Sequence, residues 1–165
     1  SLEQTINRNA MEYHCDLIVM GTKGKSGLKK TFLGNSAAAV IRKSAIPVLT
    51  VPEMAFFNGI NDIVYATDMI NPEQEFDLLL PLAKIFDTRI HIVHVHRPDA
   101  EPGTDPALLA QNFKIKFNYA KIEGRNIMNT DVKAGIEEYL KSGGIDMLCV
   151  FSGKRNFYER IFEKS

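Results

Sequence analysis

The sequence predicts an α/β fold built on a doubly wound parallel sheet. Short apolar or β-branched runs recur at residues 17–20, 46–51, 63–67, 89–96 and 145–151. Stretches with apolar residues at helical spacing lie between them, and that alternation marks a parallel sheet. Several runs stop at residues suited to a strand's carboxyl end: Gly21, Asp68 and Ser152. Such sheets bind ligands outside those ends, where the strand order reverses.

The bulk properties narrow the field. A chain of 165 residues can build one domain with a sizeable core, or one domain and part of another. Lys+Arg and Asp+Glu both number 20, so no general charge draws the chain to nucleic acid or an anionic membrane. No apolar run reaches the ~18–20 residues that span a bilayer. The polar start, Ser1-Leu2-Glu3-Gln4, is not a signal peptide and lacks an initiator Met, as in a chain cut from a longer one. Cys15 and Cys149, each beside an apolar run, are expected to be small buried residues in a reducing, cytoplasmic setting.

In chain order, Leu2, Ile6 and Ala10 give a short amphipathic helix over 2–14. A strand over 16–20 enters a glycine-rich loop at Gly21. Leu28, Phe32 and Leu33 suggest a helical turn beneath that loop. A helix then runs from 34 to about 44, with Asn35 or Ser36 as its cap. Residues 46–51 form a strand that Pro47 confines to an edge or to a first-residue position. Residues 52–60 form a linker, held down by Met54, Phe56 and Phe57.

A strand over 63–67 leads to Asp68, and Asn71-Pro72 opens a helix whose core face is Phe76, Leu79, Leu80 and Ala83. Residues 89–96 alternate as a strand, with Ile90 and Ile92 on one face and Val93 and Val95 on the other. A helix is expected over 106–118, although 114–117 also alternates like a strand. A strand is expected over 119–122. Thr130 or Asp131 caps a helix that Gly143-Gly144 ends, residues 145–151 form the last strand, and a loop and helix follow.

Residues 20–36, Met-Gly-Thr-Lys-Gly-Lys-Ser-Gly-Leu-Lys-Lys-Thr-Phe-Leu-Gly-Asn-Ser, carry the clearest chemistry. Strand, glycine loop with lysines, then helix start is the local architecture of a phosphate cradle. The spacing is neither the G-x-x-x-x-G-K-[ST] nor the G-x-G-x-x-G pattern. The same composition also fits a solvated turn; the flanking strand and helix favour the cradle. Displacing the sequence by 130 positions lays Ile6 on Ile136, Asp16 on Asp146 and Phe32 on Phe162. In this second copy Gly21, Gly24 and Gly34 become Phe151, Lys154 and Lys164, so its loop reads as structural, packed by Phe157, Tyr158 and Phe162. The histidines at 91, 94 and 96 read as strand residues, not metal ligands, and no metal site is expected. No nucleophile–base pair or carboxylate dyad stands out.

With Gly21, Gly24 and Gly34 at G-x2-G-x9-G spacing, followed by Asn35, the sequence resembles the universal stress protein family in its tandem, two-domain form. Ala45-Ile-Pro-Val-Leu-Thr-Val51 and Tyr65-Ala-Thr-Asp68 share that resemblance. It implies a flavodoxin-like fold of the adenine nucleotide alpha hydrolase-like type. It implies the end of a first domain over 1–52, a linker over 53–60, and a second domain over 61–165 that lacks its last helix and strand. It implies ATP, with Met20, Gly21, Gly24, Gly34, Asn35 and Ser36 around the phosphates, and Asp68 and Val95 at the positions that meet adenine and ribose. The loop and that aspartate then belong to different copies. Residues 16–51 are positioned to supply the elements the second copy lacks, within one chain or between two. The leading reading is a nucleotide-binding stress-response module. The alternatives are a scaffold that binds no nucleotide and dimerises through the apolar edge strand 46–51, with or without segment exchange, and a slow ATPase.

Overall fold

The computed structural model describes residues 1–22, 34–101, 103–151 and 155–162. The chain divides into two compact units, Ser1–Phe56 and Phe57–Ser165. Its strands form a two-stranded and a four-stranded sheet, all pairs parallel.

The first unit holds α1 (Leu2–Glu12), β1 (Ile18–Gly21), α2 (Asn35–Lys43) and β2 (Val48–Val51). Ile18 pairs with Val48 and Gly21 with Val51. Ala10, Ile18 and Val40 are its buried core, bordered by Ile6, Met20, Ile46 and Val48. After α1 the chain reverses through His14 at φ 50°, and the Cys15 N–H donates to Ala10 O (2.8 Å). The Ser1 hydroxyl first, and then the Lys43 ammonium 3.0 Å away, hold the half-buried Glu3 carboxyl down at about 2, and the Lys43 pair ties α1 to α2. Pro47 precedes β2, and its carbonyl accepts the Ile18 N–H (2.9 Å). It therefore opens the strand without costing the ladder a donor.

Three expectations for this region are corrected. Neither Asn35 nor Ser36 caps α2; the cap is Gly34, in extended conformation with no side-chain bond. Met54 and Phe56 are not held down: they are 78 % and 84 % exposed. Cys15 is exposed, because it lies in the turn after α1 and not in the strand. The helical turn expected at Leu28, Phe32 and Leu33 lies outside the described residues.

The second unit runs β3 (Asp62–Ala66), α3 (Pro72–Phe86), β4 (Arg89–His96), α4 (Pro106–Lys116), β5 (Ile122–Met128), α5 (Val132–Lys141), β6 (Met147–Val150) and α6 (Arg155–Phe162). Strand order is β5-β4-β3-β6, so the direction reverses between β3 and β6. Both faces are covered, as parallel sheets require. Ile63, Tyr65, Ile90 and Ile92 enter one core with Phe76, Leu79, Leu80 and Ala83 of α3 and Leu109 and Phe113 of α4. Val64, Ala66, Val93 and Val95 enter the other, with Val132 and Ile136 of α5 and Phe157 and Ile161 of α6. Phe157 and Phe162 are packing residues, as the degenerate second copy predicts, whereas the side chain of Tyr158 lies outside the described residues. Displaced by 130 positions, α1 and β1 fall on α5 and β6 to within one residue at each end.

Among the described residues, β1 and β2 of the stretch 16–51 pair with each other in their own two-stranded sheet. The strand expected over 119–122 is also displaced: β5 begins at Ile122 and runs to Met128. Tyr119 belongs to the turn after Asn118 (φ 47°), and its hydroxyl donates to Thr88 O (2.5 Å). The alternation at 114–117 does not make a strand, because α4 extends to Lys116. Asp131 caps α5, accepting the N–H groups of Lys133 (2.8 Å) and Ala134 (3.3 Å). Gly143 and Gly144, at φ 100° and 78°, make the turn into β6 that an L side chain would strain.

Gly124 of β5 lies directly under the start of α4. A Cβ there would stand 2.0 Å from the Pro106 carbonyl oxygen, which is backbone and cannot swing aside. Gly124→Ala is expected to cost about 3 kcal/mol, as overpacking that displaces backbone does. A urea unfolding midpoint unchanged from wild type would contradict this contact.

Candidate functional site

Two groups of candidate residues occupy two places, one in each unit. In the first, β1 ends at Gly21, where an added Cβ would meet nothing within 4 Å. Thr22 continues the ladder by donating its N–H to Val51 O (3.1 Å). The Gly34 N–H donates to Thr22 O at 2.7 Å, so the chain leaves and returns at one point beside the strand end. Gly34 is half-buried, and Asn35 and Ser36 are exposed in the first turn of α2. The N-cap of α2, Gly34, supplies no side-chain bond to the first-turn N–H groups, which the helix's own ladder leaves over. A strand end, open space and an uncapped helix start meet here, which is an arrangement that suits an anion. Met20 is half-buried and borders the small core below. Gly24 lies outside the described residues.

In the second unit, Asp68 follows β3 and Val95 lies on β4. Asp68 Oδ1 accepts the Ile70 N–H (3.0 Å), and Thr67 Oγ1 accepts the Met69 N–H (3.0 Å). These two turns hold Met69 at φ 65°. His94 donates from Nδ1 to Thr67 O (2.9 Å), since a carbonyl oxygen can only accept. Val95 is buried in the core on the α5 face, against Gly135. Asp68 thus lies at the carboxyl end of β3, beside the reversal of strand order, while Val95 points into packing.

The sequence reading missed two polar clusters. At the carboxyl end, the Tyr65 hydroxyl donates to Glu75 Oε2 at 2.5 Å. Burial, and then the bond to Glu75, push the Tyr65 phenol well above its ordinary range. At the amino end, His91 donates from Nε2 to Asp62 Oδ1 (2.7 Å) and accepts at Nδ1 from the Tyr139 hydroxyl (2.9 Å). Arg89 also reaches Asp62 (3.2 Å), and Arg125 reaches Glu123 (2.8 Å). Asp146, the repeat counterpart of Asp16, accepts N–H groups from Asn61 (2.7 Å) and Asp62 (3.1 Å). In each cluster the described polar groups satisfy one another, so both pin strands and present no evident reactive group. The signal for the second cluster was available: Asp62 and Arg89 open their strands and Glu123 stands second in its own. Among the described residues no group of three or more His, Cys, Asp and Glu side chains is placed to hold a metal. A shallow groove of about 660 Å³ runs along α1, lined by Gln4, Asn7, Arg8, Met11, Glu12 and Lys43. Lys43 puts it at the opposite end of α2 from Gly34.

A parallel α/β sheet with a strand end and a helix start held side by side defines the class of the fold as α/β. Comparison with known proteins makes this specific. Residues 1–52 match the model of the universal stress protein family. A universal stress protein of Methanocaldococcus jannaschii is 56 % identical over 36 residues, a match covering 22 % of this chain and 21 % of that relative. A solved universal stress protein from Archaeoglobus fulgidus superposes with a TM-score of 0.69 at 18 % identity, over 99 % of this chain and 62 % of that one. A solved structure from Pseudomonas aeruginosa, described as a putative universal stress protein, superposes with a TM-score of 0.63 at 17 % identity, over 99 % of this chain and 65 % of that one. The chain thus spans about a fifth of the curated relative through its match, and under two thirds of the solved structures. Residues 1–52 are thus similar to the universal stress protein family, and the fold of the chain is flavodoxin-like. No helix among the described residues is long and apolar enough to cross a membrane.

The two cysteines give a test of the geometry. Cys15 is exposed, whereas burial pushes the Cys149 thiol up to about 12. The thiolate is the reactive form. At pH 8 a thiol-specific colorimetric reagent should react quickly with one thiol per native chain, and with the second only on denaturation. Two fast thiols in the native protein would place Cys149 outside the core.

Proposed function

We propose that the chain is an adenine-nucleotide-binding module of a stress-response protein, with the phosphates of ATP seated between Gly21 and Ser36. The observation that carries this reading is the uncapped start of α2, held beside the end of β1 by the Gly34–Thr22 bond (2.7 Å). Backbone N–H groups at a helix start favour an anion, and the absence of a Cβ at Gly21 and Gly34 allows close approach. Gly24 and the loop lysines would add to the cradle. The family of residues 1–52 supports the same reading. Asp68 and Val95, in the second unit, would contribute to a nucleotide site only if that unit binds on its own account. A cytoplasmic setting accords with this role. A second reading, a scaffold that binds no nucleotide and dimerises through 46–51, draws on the exposed Val19 (61 %) and Val51 (38 %) of the two-stranded sheet.

Gly34→Asp separates the cradle from mere folding. An aspartate there caps α2, which favours the helix, but places a carboxylate where the phosphates would sit. ATP affinity, read by calorimetry, should fall at least about tenfold while thermal stability holds or rises. Unchanged ATP affinity in a folded variant would remove the cradle from this loop. Wild-type protein that releases no adenine absorbance on denaturation and gives no heat with ATP would favour the scaffold.

A further inference from the structure

In the second unit the strand order reverses between β3 and β6, and Phe151 follows β6 at that place. Doubly wound sheets take ligands there, outside the carboxyl ends of the strands. The Phe151 ring stands edge-on to Tyr65, 5.8 Å between centres with 89° between planes, and packs on the core that β3 shares with α3. Phe76 of α3 meets the same Tyr65 ring at 6.4 Å. Tyr65, Ala66 and Thr67 are at most 1 % exposed. The polar groups of this strand end are bonded to one another. The Tyr65 hydroxyl donates to Glu75, Thr67 Oγ1 accepts the Met69 N–H, and the Thr67 carbonyl accepts from His94. Displaced by 130 positions, Phe151 falls on Gly21. Gly21 is exposed, and a Cβ added there would meet nothing within 4 Å.

We infer that Phe151 is a plug, the side chain that closes the second unit's strand-end crevice to adenine nucleotides. A ligand entering between β3 and β6 must turn the ring off Tyr65 and into water, which forfeits an aromatic contact and exposes apolar surface. It must also find partners among polar groups already paired, and a buried pair broken without replacement is costly. The first unit sets no such obstacle at Gly21: the difference at this position is a hydrogen atom against a benzyl group. Cys149 reports on the plug. It is the ladder partner of Tyr65, stands two residues before Phe151 and packs on the same core, so loss of the ring uncovers its thiol. The inference goes beyond the cradle proposed for Gly21–Ser36 and stands whether or not that cradle takes ATP.

Phe151→Gly in the full chain tests it, with circular dichroism to confirm folding. The Cys149 thiol should react with a thiol reagent at pH 8 at least about tenfold faster than in wild type. An unchanged rate in the folded variant would show that the ring covers nothing and would overturn the plug. Amide NMR reads the ligand side. Adenosine should shift the amides of Thr67, Asp68, Met69 and Ile70 in Phe151→Gly and leave them unmoved in wild type. No shift there in the folded variant would overturn Phe151 as the cause of closure. Wild type alone decides the matter if the variant does not fold: saturable shifts at Thr67–Ile70 with ATP would overturn the inference. ATP shifts confined to Gly34, Asn35 and Ser36 would support both the plug and the cradle. An absence of ATP shifts in either unit would support the plug and remove the cradle.

Discussion

The second unit depends on burying β3 without leaving its polar groups unpaired. Ile63, Val64, Tyr65 and Ala66 are all at most 1 % exposed, on both faces and between two neighbouring strands. Their amides and carbonyls are served by the ladders with β4 and β6. What the ladders leave over must be met at the ends, since an unsatisfied buried group costs on the order of 1–3 kcal/mol. At the amino end the Asp146 carboxylate takes two N–H groups, at Asn61 and Asp62. At the carboxyl end Glu75 takes the Tyr65 hydroxyl, and Thr67 Oγ1 turns the chain toward α3. The same solution fixes the first turn of α3, because Glu75 lies in it. Strand, turn and helix are therefore set by one requirement, and the Asp68 turn inherits its position from them.

Much of this was legible in the sequence. The core face of α3, the limits of β4, the Asp131 cap and the Gly143-Gly144 turn all follow from local rules of spacing, capping and left-handed backbone. What was not legible depends on partners distant in sequence. Glu123, Gly124, Arg125 and Asn126 have no apolar alternation, yet they form β5 because β4 offers a ladder seven pairs long. Tyr119 looked like a strand residue because it is aromatic; its hydroxyl is needed by Thr88, 31 residues away. Gly34 was read as part of the loop motif and proves to be the cap itself, which local preference would have assigned to Asn35 or Ser36.

For the candidate site, the sequence located the strand end and the helix start but not the bond that joins them. The Gly34–Thr22 contact is between backbone groups and leaves no trace in residue type. Asp68, expected at a position that meets adenine or ribose, accepts the Ile70 N–H at Oδ1, which is a turn role. Val95 illustrates the opposite failure. A residue matched by position to a ligand contact is, in this fold, a member of the core against α5. Position along a strand identifies which end a residue is near; only the alternation of faces decides whether its side chain reaches a ligand.

The first unit's two-stranded sheet has a consequence for energetics. Among the described residues Ala10, Ile18 and Val40 form its core cluster, beside a sheet of two strands. Such a unit opens locally at a free energy well below that of a four-stranded sheet covered on both faces. A ligand that recognises only the closed strand–helix junction must then draw on its own binding energy to hold that junction shut. Its apparent affinity is the intrinsic affinity scaled by the closed fraction. Occupancy and order become a single linked equilibrium: saturating ligand would slow amide hydrogen exchange across α1, β1, α2 and β2, and leave the slower protons of β3 and β4 unchanged.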